Sequence, residues 1–103
     1  MKTRYLPSSD FLPAIINEDA PFNEGNFGER NLERLIGMTR DPDTANRDWA
    51  TLLLSQLKLD RPDVREALIA AAADEAFEVR GEAILGIAQL DQSAALPLLR
   101  KEL

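Results

Sequence analysis

The sequence predicts an all-α chain built as a short stack of helical hairpins, and three observations carry that expectation. One passage is written twice, 33 residues apart: Asp41 to Leu57 (DPDTANRDWATLLLSQL) lies over Asp74 to Leu90 (DEAFEVRGEAILGIAQL), with six of 17 positions identical. Unrelated stretches agree at roughly one such position, and a period in this range marks stacked supersecondary units. From Asn26 onward, apolar residues recur at the three- and four-residue spacing that gathers them on one face of a helix. No segment alternates at period two for long enough to form a strand.

The elements follow in order. Residues 1–25 read as an N-terminal arm and 26–103 as the repeat domain. The arm holds Pro7, Pro13 and Pro21 and little periodicity. One short helix is expected there, from Asp10 to about Asn17. Ser9 would be its N-cap, Pro13 would lie in its first turn, and it would carry Phe11, Leu12, Ile15 and Ile16. Glu18 to Gly25 reads as loop. Asn26 with Glu29 three residues on resembles a capping box, opening a helix that presents Leu32, Leu35 and Ile36.

Asp41-Pro42-Asp43 breaks that helix. The next runs from about Thr44 to Leu57, with Ala50, Leu53, Leu54 and Leu57 at core spacing. Asp60 is expected to cap a third helix, with Pro62 in its first turn and Val64, Leu68, Ala71 and Ala72 on one face. A fourth, about Ala76 to Leu90, buries Val79, Ala83, Ile87 and Leu90. A fifth begins after Ser93, takes Pro97 into its first turn and carries Leu96, Leu99 and Leu103.

Composition narrows the function. At 103 residues the chain is expected to form one domain. Twelve basic against 18 acidic residues leave a net charge of -6, which repels polyanions on average. The expected partner is therefore another protein with a basic or neutral surface, not nucleic acid. There is no cysteine and no histidine, which removes thiolate chemistry, the commonest metal ligand and every triad built on imidazole. No catalytic constellation, metal site or cofactor is expected. The first residues lack a continuous apolar core for a signal peptide, and no run approaches the ~18 apolar residues of a membrane span. A cytoplasmic location is the expectation.

The residues then meet a known pattern. Asp74, Val79, Arg80, Ala83, Ile87 and Leu90, followed by Asp91, Ala94, Ala95, Leu96, Pro97, Leu98 and Leu99, resemble a HEAT repeat. The nearest variety is that of bacterial adaptor proteins and phycobilisome-lyase-type proteins. Asp41, Arg47, Ala50, Leu54 and Leu57 carry the pattern one repeat earlier, with Asn46 where the pattern has Val. The resemblance covers about Asn26 to Leu103. It implies a short α-α superhelix of about two and a half repeats and five helices. It further implies that Asp41, Arg47, Asp74 and Arg80 form a structural ladder. In such a ladder each Asp holds backbone N–H groups and the Arg of a neighbouring repeat. A calcium loop at Asp41-Pro42-Asp43 is disfavoured, since the required Gly and Glu positions are not filled.

Agreement between the copies reports scaffold, and disagreement reports what is particular to this chain. One stripe of the second helix of each hairpin reads Ala45, Trp49, Leu52, Gln56 in the first copy and Glu78, Glu82, Leu85, Gln89 in the second. The resemblance implies that this helix-B face lines the concave surface where partners bind. Two readings of Trp49 stand. Either the arm folds over it to cap the stack, or it is an aromatic anchor beside acidic residues. Two readings of the fifth helix also stand: a polar cap carrying Arg100, Lys101 and Glu102, or the contact of a weak homodimer.

The leading expectation for function is a protein–protein interaction module, an adaptor or regulator. The alternative is an acidic inhibitor or immunity-type protein that occludes a basic partner. A bilin-lyase-like role needs more repeats than this chain has. A HEAT-like DNA glycosylase needs a basic groove and more aromatic side chains.

Overall fold

The computed structural model describes residues 25–103. The arm helix expected over Asp10 to Asn17, and its cover of Trp49, lie outside the described residues. Five helices follow in sequence: α1 (Gly25–Met38), α2 (Thr44–Leu57), α3 (Pro62–Ala71), α4 (Phe77–Leu90) and α5 (Gln92–Glu102). Among the described residues there is no strand. The architecture is an all-α HEAT-like stack, with α2 packed along α4 at its centre and α5 laid against α4.

The core is drawn from every helix. Leu32 and Leu35 of α1, Ala50, Leu53 and Leu54 of α2, and Val64, Ala67 and Leu68 of α3 are buried together with Ile84 and Ile87 of α4 and Ala95 of α5. Val79 and Ala83 pack with Ala71 in a smaller group under the α3–α4 turn. Leu57 and Leu90, both expected in the core, are partly buried against it. Each ends its helix, so one side of it faces the turn.

Several boundaries depart from the sequence reading. Helix α1 already includes Gly25, so Asn26 lies inside it and is not its N-cap. The Glu29 carboxylate takes the Arg61 guanidinium at 2.6 and 3.1 Å, tying α1 to the start of α3. The N-cap of α3 is Arg61 rather than Asp60, with Pro62 next in line as anticipated. Asp60 is drawn away by Arg65, whose Nε donates to it at 2.6 Å.

Helix α5 starts two residues earlier than expected. Asp91 is its N-cap and accepts from the backbone N–H groups of Ser93 and Ala94. Pro97 is consequently inside the helix, not in its first turn, and α5 tolerates the missing donor. Only Ala95 of this helix is buried; Leu96, Leu99 and Leu103 are 51%, 46% and 98% exposed.

Two tight features hold α2 in place. Its C-cap, Lys58, adopts φ 52°, the left-handed conformation that terminates a helix and that a glycine would take with less strain. In the middle of the α2–α4 contact, Gly86 faces Ser55 so closely that an added Cβ would lie 2.9 Å from Ser55 Cβ and 3.2 Å from Leu68 Cδ1. The Ser55 hydroxyl sits 2.9 Å from both the Thr51 and the Glu82 carbonyls, and its single proton serves one of them at a time. The glycine allows a helix-to-helix approach close enough for that bridge.

Candidate functional site

The two duplicated turns set the geometry around the repeat. In the first, Asp41 Oδ2 accepts from the Asp43 N–H at 2.9 Å; in the second, Asp74 Oδ1 accepts from the Ala76 N–H at 2.9 Å. The two arginines also make matching bonds. Arg47 Nη1 donates to the Asp41 and Pro42 carbonyls at 3.0 and 3.1 Å. Arg80 Nη1 donates to the Asp74 and Glu75 carbonyls at 2.9 and 3.1 Å. Each guanidinium therefore satisfies carbonyls at the end of the preceding turn, where a helical hairpin leaves acceptors unpaired.

The other edge of each guanidinium differs between copies. Arg47 reaches across to the next repeat and grips Asp74 with Nε at 2.9 Å and Nη2 at 3.3 Å. That pair is nearly dry, with side chains 10% and 12% exposed. On this edge Arg80 meets, among the described residues, Glu102 of α5, through Nε at 2.8 Å, and both partners are about a third exposed or less. Asn46, the departure from the repeat pattern, donates through Nδ2 to Asp41 Oδ2 at 3.1 Å. Its counterpart Val79 is fully buried. An open cleft of about 510 Å³ lies between the two turns, floored by Arg47 and Ala71 and edged by Arg40, Pro42, Asp74 and Glu75. Arg47, Asp74 and Glu75 are already paired with one another there, which suits a structural seam better than a ligand pocket.

The helix-B stripe falls on neighbouring helices. On α2, Ala45, Trp49 and Leu52 are partly buried and Gln56 is exposed. The Trp49 side chain packs against the main core cluster. On α4, Glu78 and Glu82 are partly buried, Gln89 is exposed and Leu85 is 62% exposed. Ser55 reaches the Glu82 backbone carbonyl, so α2 and α4 approach to hydrogen-bonding separation at that point. Phe77, at the start of α4, is 64% exposed.

Sequence reasoning missed three participants. Glu102 was read only as part of a polar cap, and no spacing rule marks it as the partner of Arg80. Ser55 and Gly86 were legible in principle, since a glycine amid apolar residues signals close approach. Among the described residues no group of three His, Cys, Asp or Glu is placed to hold a metal ion. No described helix is long and apolar enough to cross a membrane.

Comparison with known proteins agrees with this geometry. Protein YibA of Escherichia coli K12 and of the O157:H7 strain are each 33% identical over 101 residues. The alignment covers 98% of this chain but 32% of theirs, so the chain spans about a third of the length of these curated relatives. No solved structure matches the chain. The family model for HEAT repeats matches residues 31–103, which takes in all of the ladder and both helix-B stripes, and the chain belongs to the HEAT repeat family.

Proposed function

We propose that this chain is a protein-interaction module, an adaptor or regulator that binds another protein through the α2–α4 face. Support comes from its family, whose stacked helices serve as binding scaffolds, and from the character of that face. The observation that carries the reading is Leu85: a large apolar side chain, 62% exposed, on a helix that places Glu82 and Gln89 one turn to either side. An apolar side chain ringed by polar ones is the composition of an interface centre. Trp49 and Leu52 extend the apolar part onto α2, and Glu78 and Glu82 set its sign. The partner then has a basic or neutral surface.

A second reading is favoured by the charge alone. A net charge of -6 suits a protein that occludes a basic partner and inhibits it. Affinity that falls steeply with added salt supports inhibition by charge; affinity indifferent to salt counts against it.

Affinity capture from the source organism with wild type, Trp49→Ala and Glu82→Lys in parallel tests the main reading. A partner held by wild type and released by the Glu82 variant is the expected result. Equal retention by all three would remove the α2–α4 face from consideration.

A further inference from the structure

The acidic residues of α2 and α4 gather at one end of their shared face. Arg47 reaches Asp74 and Ser55 reaches the Glu82 carbonyl, both 27 residues on, so the two helices run parallel in that register. Asp48 then lies one turn below Glu78, and Glu82 one turn above it, the three spanning about 10 Å of helix. Neither helix offers them a cation. Arg47 and Arg80, the basic residues of α2 and α4, are committed to turn carbonyls, Asp74 and Glu102. Arg40, exposed on the turn before α2, lines the cleft with Asp41 and Glu75. With Arg40 included, the two duplicated passages hold seven acidic residues and three basic, so the local sign is negative. Yet none of Asp48, Trp49, Phe77, Glu78 and Glu82 is without a partner.

We propose that the chain's own first segment, residues 2–16, occupies this face, with Lys2 and Arg4 against Asp48, Glu78 and Glu82 and the apolar residues behind them over Trp49 and Leu85. The inference rests on the α2–α4 face being the binding face and adds its regulation: a partner must displace the arm. The order of charge along the arm suits this. Its two basic residues stand in the first four positions, and its acidic ones are Asp10, Glu18, Asp19 and Glu24. Arg61 grips Glu29, so the arm joins α1 at the end of the stack where α2 finishes and α3 begins. There the face carries the neutral Gln56 and Gln89, and Lys58 is exposed beyond them. The carboxylates at that end, Glu29, Asp60, Asp63 and Asp91, are each paired with Arg61 or Arg65, which leaves room for Glu18, Asp19 and Glu24. Asp10 falls in the first turn of the expected arm helix, where the helix dipole favours a carboxylate. From Gly25 back to Arg4, one helix and extended chain together reach up to about 50 Å, against about 20 Å for the length of α2. Tethering holds the arm near millimolar effective concentration, so weak individual contacts suffice.

The chain has no cysteine, so a nitroxide on Thr3→Cys of the full chain reports from the arm alone. NMR of the isotope-labelled protein should show the strongest paramagnetic broadening in the first two turns of α2 and α4, around Asp48, Glu78 and Glu82. Adding Lys2→Glu and Arg4→Glu should weaken it severalfold, and Glu78→Lys with Glu82→Lys should restore it. Raising salt on the labelled wild type tests the same ion pairs without a charge substitution and should also weaken it. A synthetic peptide of residues 2–17 should bind the Lys2→Glu, Arg4→Glu chain roughly fivefold more tightly than wild type, because two exposed ion pairs no longer hold the competing arm. Mixing spin-labelled with isotope-labelled chains detects an arm donated by a second copy and should leave the face unbroadened. Broadening absent from α2 and α4, indifferent to both charge reversal and salt, or equal in the mixed sample overturns the proposal, as does equal peptide affinity. None of these readouts needs a partner. A face that holds the arm yet captures no protein would refute the proposed function alone, and a partner captured on a face the arm never touches would refute this inference alone.

Discussion

Arg47 and Asp74, 27 residues apart in the chain, meet in a two-point contact of 2.9 and 3.3 Å that is almost closed to solvent. It ties the first duplicated turn to the second. Removing one member strands the other at low exposure, which costs about 3 kcal/mol or more. Asp74→Ala and Arg47→Ala are therefore expected to lower the urea unfolding free energy by that amount. The Arg80–Glu102 pair is more open, and Glu102→Ala should cost about 0.5 kcal/mol. Equal losses at the two pairs would contradict the ladder as described.

Gly86→Ala should destabilise by about 1–3 kcal/mol, because the new methyl meets Ser55 Cβ at 2.9 Å and neither backbone can yield cheaply. Gly37→Ala and Gly81→Ala face open space and should instead stabilise their helices by about 0.5–1 kcal/mol. Thermal melts of the three variants check the contrast. A Gly86 variant as stable as the other two would mean that α2 and α4 are further apart than described.

Thr51 is fully buried, and its hydroxyl has no hydrogen-bond partner among the described residues. Thr51→Val keeps the shape and removes the stranded polar atom, so it should raise stability by about 1 kcal/mol. A loss of that size on chemical denaturation would show that the hydroxyl does have a partner.

The Glu29 carboxyl is held below its ordinary range, first by the hydrogen bond from Arg61 and then by that residue's charge. Asp60 is lowered in the same way by Arg65. A carboxyl with a depressed folded pKa contributes stability above its unfolded pKa, and the contribution is lost as pH falls through the folded value. Both groups lie at the surface, so the effect is confined to the acid range and weakened by salt. NMR titration should show the Glu29 pKa rising toward the usual glutamate value in Arg61→Ala. An unmoved pKa would mean that the α1–α3 pair does not form in solution.

What the sequence revealed depended on how local the cause was. The repeat, the helix count and the bounds of α2 were legible, because periodicity and the Asp41-Pro42-Asp43 break act within a few residues. Caps were less so. Asp60 and Glu29 have the right chemistry and spacing for capping, yet each is claimed by an arginine that a helix-local rule does not see: Arg65 five residues on, and Arg61 on another helix. The start of α5 was misplaced because Ser93 and Asp91 are both good caps, and Asp91 lies closer to the end of α4. On the candidate face, the contrast of Trp49 with Glu82 was visible in the alignment of the copies. The outward aspect of Leu85 was not, since its counterpart Leu52 is the same residue and is partly buried.

The central claim is that the ladder builds the stack and the α2–α4 face binds. Measuring unfolding free energy and partner retention together on Leu85→Asp and Arg47→Ala tests it most directly. Leu85 is largely exposed, so its variant should keep a stability within about 0.5 kcal/mol of wild type and lose the partner. Arg47→Ala should lose stability and, at temperatures where it remains folded, keep the partner. A Leu85→Asp chain that folds normally and still holds its partner as wild type does would contradict the claim.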